Sequence, residues 1–181
     1  MKTRNLILTA LFAALTAIGA FLKIPTPISS FTLQFFFTCM AAVLLGAKYG
    51  FLSQAVYVVL GLVGLPIFTL GGGLSYVFQP TFGFLLGLLP AAAVVGWLVT
   101  KRGYGFWSIC LACTAGLAVL YAVGLPYMHL ILTVYQKTEW TLKQTLMGGM
   151  VLFLPWDALK IVVTGLLGTQ LAPRLHRISK A

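Results

Sequence analysis

Long apolar runs, interrupted mainly by prolines, glycines and basic residues, constrain this chain more than any other feature. The first reaches from Leu6 to Leu22, and five more follow before the basic tail "APRLHRISKA". A fold of 181 residues leaves much of its surface in contact with solvent. With 60% hydrophobic residues, 8% charged residues and a mean hydropathy of +1.02, that solvent must be lipid. A spanning helix needs about 20 residues, so the length suits one bundle of about five or six helices and no separate soluble domain.

The runs divide the chain, 1–181, as a single membrane domain with expected helices at about 6–22, 35–47, 51–63, 81–99, 106–125 and 147–170. The expected architecture is an all-α six-helix membrane bundle. "MKTRN" before the first run imitates a signal peptide, but the apolar stretch continues and more spans follow, so it reads as a retained helix. The segment "KIPTPISSFTLQ" (23–34) breaks the run with two prolines. The segment 64–80, "GLPIFTLGGGLSYVFQP", is uncharged yet too rich in glycine and proline for regular helix. Residues 126–146 carry several polar groups and suit a short interfacial helix.

The net charge of +10 does not point to nucleic acid, because Lys and Arg sit at the ends of apolar runs and form no basic patch interleaved with aromatics. Their distribution instead orients the bundle. With the N-terminus inside, Lys2, Arg4, Lys48, Lys101, Arg102, Arg174, Arg177 and Lys180 fall on the cytoplasmic side. Lys23, Lys137 and Lys143 fall outside, and Lys160 lies within the membrane. Eight against three in short loops predicts both termini cytoplasmic and the 23–34, 64–80 and 126–146 connections outward. The three cysteines, Cys39, Cys110 and Cys113, all lie in apolar stretches and read as small packing residues.

Against this background "LFLPWDALKIVV" (152–163) stands out. It places Asp157, one of two acidic residues, three positions before Lys160 and near the middle of the last expected span. On a helix the two lie on one face, about 60° apart. Each charge costs about 2.5–3.5 kcal/mol at a helix centre on insertion scales. A pair present only to cancel itself would be matched or bettered by apolar residues. The pair therefore reads as a binding site facing a cavity, suited to a small ligand with N–H donors and an anionic group.

Other polar or small residues join it with two readings each. Gly71, Gly72 and Gly73 either form a plain outer loop or bring bare backbone to a ligand. Gln34 either caps a helix or offers a hydrogen bond at the lip of a span. Trp156 and Tyr76 either wall a pocket or anchor at the membrane interface. In the first helix, Ala10, Ala13, Ala14 and Ala17 make a small-residue stripe that suits internal packing or the docking of a partner. A nucleophile with its base, a carboxylate pair or a metal set would be needed for an intramembrane enzyme, and one aspartate beside a lysine supplies none of these. The expectation is therefore a protein that is not an enzyme.

Four stretches in order, "PISSFTLQ", "LLGAKYG", "GLPIFTLGGGLSYVFQP" and "DALK", resemble the BioY family, the biotin-binding S components of energy-coupling-factor (ECF) vitamin transporters. The resemblance covers nearly the whole chain. It implies a six-helix S-component bundle in a prokaryotic cell membrane, with an outward pocket for biotin and no cofactor. It further implies that Asp157, Lys160, Gly71, Gly72, Gly73 and Tyr76 contact biotin. Asp157 would accept from a ureido N–H and Lys160 would pair with the carboxylate, directly or through water. The family's S components dock their first helix on a membrane-embedded energising subunit, which favours Ala10 and Ala14 as contacts, with two ATPase subunits supplying power. A different vitamin, or unassisted entry of biotin, is the alternative.

Overall fold

The computed structural model describes residues 3–25 and 30–180. Lys2 and Pro27, Ile28 and Ser29 of the "PISSFTLQ" stretch lie outside the described residues, as do the side chains of Arg177 and Lys180. Helix α1 (Thr3–Phe21) leads into a short antiparallel hairpin, β1 (Lys23–Pro25) with β2 (Ser30–Thr32), in the register Lys23 opposite Thr32 and Ile24 opposite Phe31. Then come α2 (Gln34–Leu62), a 3-10 turn (Leu74–Phe78), α3 (Phe82–Arg102), α4 (Phe106–Leu130), α5 (Leu142–Leu146) and α6 (Leu154–Lys180). The hairpin, with an isolated bridge between Phe68 and Gly71, amends the all-α expectation among the described residues. Ile24 and Thr32, both β-branched, suit extended backbone where the apolar helix stops.

Five helical runs are long and apolar enough to cross a membrane: Thr3–Phe21, Gln34–Leu62, Phe82–Arg102, Phe106–Tyr135 and Leu142–Leu175. Helices suit lipid because they satisfy nearly all backbone N–H and C=O groups within one segment. Two helices were expected at 35–47 and 51–63, but one run spans both regions and reverses inside it. At Gly46 the backbone leaves helical geometry (φ 79°, ψ 178°). In a straight helix Thr38 and Gln54 would stand about 24 Å apart, yet Thr38 Oγ1 donates to Gln54 Oε1 at 3.0 Å. Gln34 Nε2 likewise donates to the Tyr57 hydroxyl at 2.8 Å. The arms 34–45 and 47–62 therefore run antiparallel. Glycine alone adopts such a backbone readily, which puts the reversal at Gly46, ahead of the expected break at 48–50.

The arms meet along buried polar side chains. Gln54 is fully buried and bonds Thr38, Ser53 and Thr16, so α1 and both arms of α2 share one satisfied network. Satisfaction is what makes a carboxamide tolerable at that depth. α1 packs on α2, α2 on α3 and α3 on α4, while α6 closes against α4 and α2. α3 passes close to the reversal: a Cβ on Gly96 would lie 2.3 Å from the Ala47 nitrogen.

The last span departs from its expected range of 147–170. The helical run begins at Leu142 and loosens into a π turn over Met147–Val151 before α6 starts at Leu154. Gly148, Gly149 and Pro155 account for the change. Two glycines favour helix weakly, and a proline has no N–H to donate four residues back to Val151. Asp157 consequently stands in the first turn of α6, directly after the irregular segment. A second π turn, Ile131–Tyr135, extends α4 beyond its expected end at 125.

Candidate binding cavity

One cavity of about 340 Å³ opens between the hairpin, the 64–73 loop and helices α2, α3, α4 and α6. That volume falls within the range of about 300–1,000 Å³ typical of small-molecule sites. Its wall grades from exposed to buried. Lys23 and Leu70 (64% exposed) sit where it meets the surface, and Phe35, Leu85, Leu88 and Asp157 are buried. No lining residue comes from α1.

The charged centre is Asp157. Lys160 Nζ donates to Oδ1 at 2.8 Å, one helical turn along α6. The Tyr121 hydroxyl, from α4, donates to Oδ2 at 2.5 Å. Both carboxylate oxygens are therefore engaged, the acid by α6 itself and by the neighbouring helix. Asp157 and Lys160 are only slightly exposed, at 7% and 12% of their side chains, and both line the cavity. They face a shared hollow within the bundle.

Gln34 also lines the cavity, at the first residue of α2. It makes no capping bond. Its Oε1 accepts from Thr32 at 2.9 Å and its Nε2 donates to Tyr57, whose hydroxyl donates to the Ile67 carbonyl at 3.1 Å. One side chain thus links the hairpin, the second arm of α2 and the loop. Gln34 fixes the wall as well as lining it.

The remaining expected residues lie behind or above the wall. Gly71, Gly72 and Gly73 are absent from the lining, to which the loop contributes Thr69 and Leu70. The glycines serve the loop's own turns: Gly71 and Gly73 have φ of 113° and 99°, and Gly73 N donates to Gly61 O at 2.7 Å. A Cβ on Gly72 would come within 2.1 Å of the Leu65 oxygen. Tyr76 is buried against Phe68 and Phe82, and its hydroxyl bonds Thr69 Oγ1 at 2.7 Å, so it positions a lining residue. Trp156 is about half exposed and meets Phe31 of the hairpin edge-on at 5.8 Å. Phe31 also packs on Phe153, a lining residue, at 4.4 Å. Trp156 thus helps fasten the hairpin to α6.

On α1, Ala10 and Ala14 are exposed while Ala13 is buried. The alanine stripe therefore splits, with Ala13 facing the bundle and Ala10 and Ala14 facing away from it.

Sequence reasoning missed polar members of the site, Tyr121, Lys23 and Thr81 among them, along with its apolar wall. Tyr121 lies in the apolar run "AVLYAVG", where an aromatic ring passes for core filling; its hydroxyl, needing a partner at that depth, was the available signal. Lys23 reads as an orientation charge at a helix end, yet it lines the cavity and donates to the Thr69 carbonyl. Thr81 lines the cavity with a buried Oγ1 that has no hydrogen-bond partner among the described residues.

Apolar helices enclosing a ligand-sized hollow with an ionic centre define a multi-pass membrane protein built around a small-molecule cavity. Over residues 1–177 the sequence fits the model of the BioY family. The chain belongs to that family. It is 40% identical to the probable biotin transporter BioY of Lysinibacillus sphaericus, an alignment covering 99% of this chain and 90% of that one. It is 37% identical to the biotin transporter BioY of Thermotoga maritima, covering 93% and 95% respectively. Its fold matches a crystal structure at 2.1 Å of the S-component for biotin from an ECF-type ABC transporter. The TM-score is 0.82 at 25% identity, over 94% of this chain and 91% of that one.

Proposed function

We propose that the chain is the biotin-capturing membrane subunit of an ECF-type transporter. The observation that carries this reading is Asp157, buried in a ligand-sized cavity and held by Lys160 at 2.8 Å and Tyr121 at 2.5 Å. A ureido ring presents two N–H donors and a carbonyl acceptor, and the trio offers the complementary groups. Asp157 accepts an N–H through a remaining lone pair and Lys160 donates to the carbonyl, while Tyr121, its one O–H given to Asp157, holds the carboxylate in place. Phe35, Leu85, Leu88 and Phe153 supply apolar wall for the thiophane ring and aliphatic tail. Gly71, Gly72, Gly73, Tyr76 and Trp156 hold the loop and hairpin that complete the enclosure. The ligand leaves chemically unchanged.

Counting the arms of α2 separately, the bundle crosses the membrane six times with both ends in the cytoplasm, as the charge bias requires. The hairpin and the 64–80 loop then lie outside, and the cavity opens toward the supply of vitamin. Concentrative uptake requires a membrane-embedded energising subunit and two ATPase subunits, with Ala10 and Ala14 on the docking face. The family membership and the biotin relatives support both parts of this reading.

Equilibrium binding of labelled biotin to purified protein tests it, with thiamine and riboflavin as controls. Biotin alone should be retained. Retention of a control vitamin instead of biotin would overturn the assignment.

A further inference from the structure

Two lysines line the cavity, and their circumstances differ. Lys160 is already neutralised, because its ammonium sits 2.8 Å from the only carboxylate in the lining. Asp157, Lys160 and Tyr121 together form a cluster of zero net charge. Among the described residues Lys23 has no such counterion. The chain's other acid, Glu139, lies exposed in the segment before α5 and does not line the cavity. Among the described residues, Lys160–Asp157 is the one ion pair involving Lys, Arg and a carboxylate. The lining therefore carries one uncompensated positive charge, and Lys23 bears it.

We propose that Lys23 recognises the ligand's carboxylate at the cavity mouth, leaving Asp157, Lys160 and Tyr121 to read its neutral polar head. The inference rests on the biotin reading and reassigns the acid end of the ligand from Lys160 to Lys23. Three features support it. Lys23 is exposed at the start of β1, beside the surface end of the cavity, where water can share the solvation of an ion. A carboxylate placed against the deep cluster would instead meet Asp157, a like charge in a poorly hydrated space. Finally, the ammonium has three N–H donors and donates one of them to the Thr69 carbonyl. That bond aims Lys23 at the cavity rim and leaves donors for a carboxylate.

The Thr69 bond also ties β1 to the 64–73 loop, so Lys23 could serve as a latch alone. Comparing biotin with biotinamide, its uncharged analogue, separates the two roles. Wild-type protein should bind biotin about tenfold more tightly than biotinamide, the scale of one charge-assisted hydrogen bond at a partly hydrated site. In Lys23→Met that preference should vanish: biotin affinity falls about tenfold further than biotinamide affinity does. Lys23→Arg should keep most of the preference. Equal wild-type affinity for the two ligands would overturn the proposal without any variant. So would an equal loss of both in Lys23→Met, the signature of a latch. Failure of wild-type protein to bind either ligand would refute the underlying biotin reading, an outcome distinct from the others.

Discussion

Tyr121 of α4 donates its hydroxyl to Asp157 Oδ2 at 2.5 Å, across 36 positions of sequence. This bond joins the last helix to α4 at the depth where Lys160 engages the other carboxylate oxygen. It makes a local pair on one helix face into a junction between helices.

Removing that hydroxyl should be felt in both folding and binding. Tyr121→Phe keeps the ring and deletes one bond to a charged group, an interaction worth about 1.5–3 kcal/mol. Thermal unfolding in detergent should show the loss. Labelled-biotin binding should weaken by about tenfold, because Asp157 is then oriented by Lys160 alone. Undiminished affinity would mean that Tyr121 serves α4–α6 packing only.

The ion pair predicts a non-additive series. Asp157→Asn leaves the Lys160 ammonium without a counterion, and Lys160→Met leaves the carboxylate with Tyr121 alone. Breaking a buried pair from one side costs about 3–5 kcal/mol at full burial, and less here because the pair lines a cavity. The double variant Asp157→Asn/Lys160→Met restores neutrality and should be more stable than either single one. All three should lose biotin binding. A double variant that recovers stability and also binds biotin would remove the pair from the ligand site.

These residues also mark how far the sequence could be read. Asp157 and Lys160 were legible because charge in an apolar run carries a large cost, and their spacing alone puts them on one face. Their place at the start of α6 was not legible, since the π turn at Met147–Val151 arises from the glycines and Pro155 acting together. The reversal in α2 was narrowed to "GAKYG" but not to Gly46, because either glycine of that stretch can end a helix. Contacts across the bundle, such as Thr38 with Gln54 and Tyr121 with Asp157, depend on which helices become neighbours, and hydrophobic runs carry no such information. Lys23 was visible as a charge, while its place on the cavity wall depended on the hairpin register.

Two glycines at the α2 reversal should respond differently to a methyl group. At Gly46 the obstacle is conformational: φ is 79°, while the nearest atom to an added Cβ is 4.0 Å away. Gly46→Ala should cost about 1–3 kcal/mol of backbone strain and still yield folded protein. At Gly96 the obstacle is the backbone of Ala47, 2.3 Å from the added Cβ. Main-chain atoms cannot swing aside, so Gly96→Ala should separate α3 from the reversal and sharply reduce the yield of monodisperse protein. Size-exclusion profiles and melting temperatures of the two variants check this order; equal behaviour would contradict the packing at Ala47.

The outward face of α1 predicts a separation of binding from uptake. Ala10 and Ala14 are exposed among Ile7, Leu11 and Ile18, and one helical turn separates them, so they form a shallow step in an otherwise bulky surface. Small residues at such spacing let another helix approach closely. Ala14→Trp fills the step without touching the cavity, to which α1 contributes no residue. Purified variant protein should bind biotin as the parent does, whereas cells carrying it with the energising subunits should fail to accumulate the vitamin. Ala13→Trp supplies the contrast, because Ala13 is 5% exposed and faces the bundle. That substitution should damage folding and binding together. Full uptake by Ala14→Trp would place the docking surface elsewhere and leave Ala10 and Ala14 as lipid-facing residues.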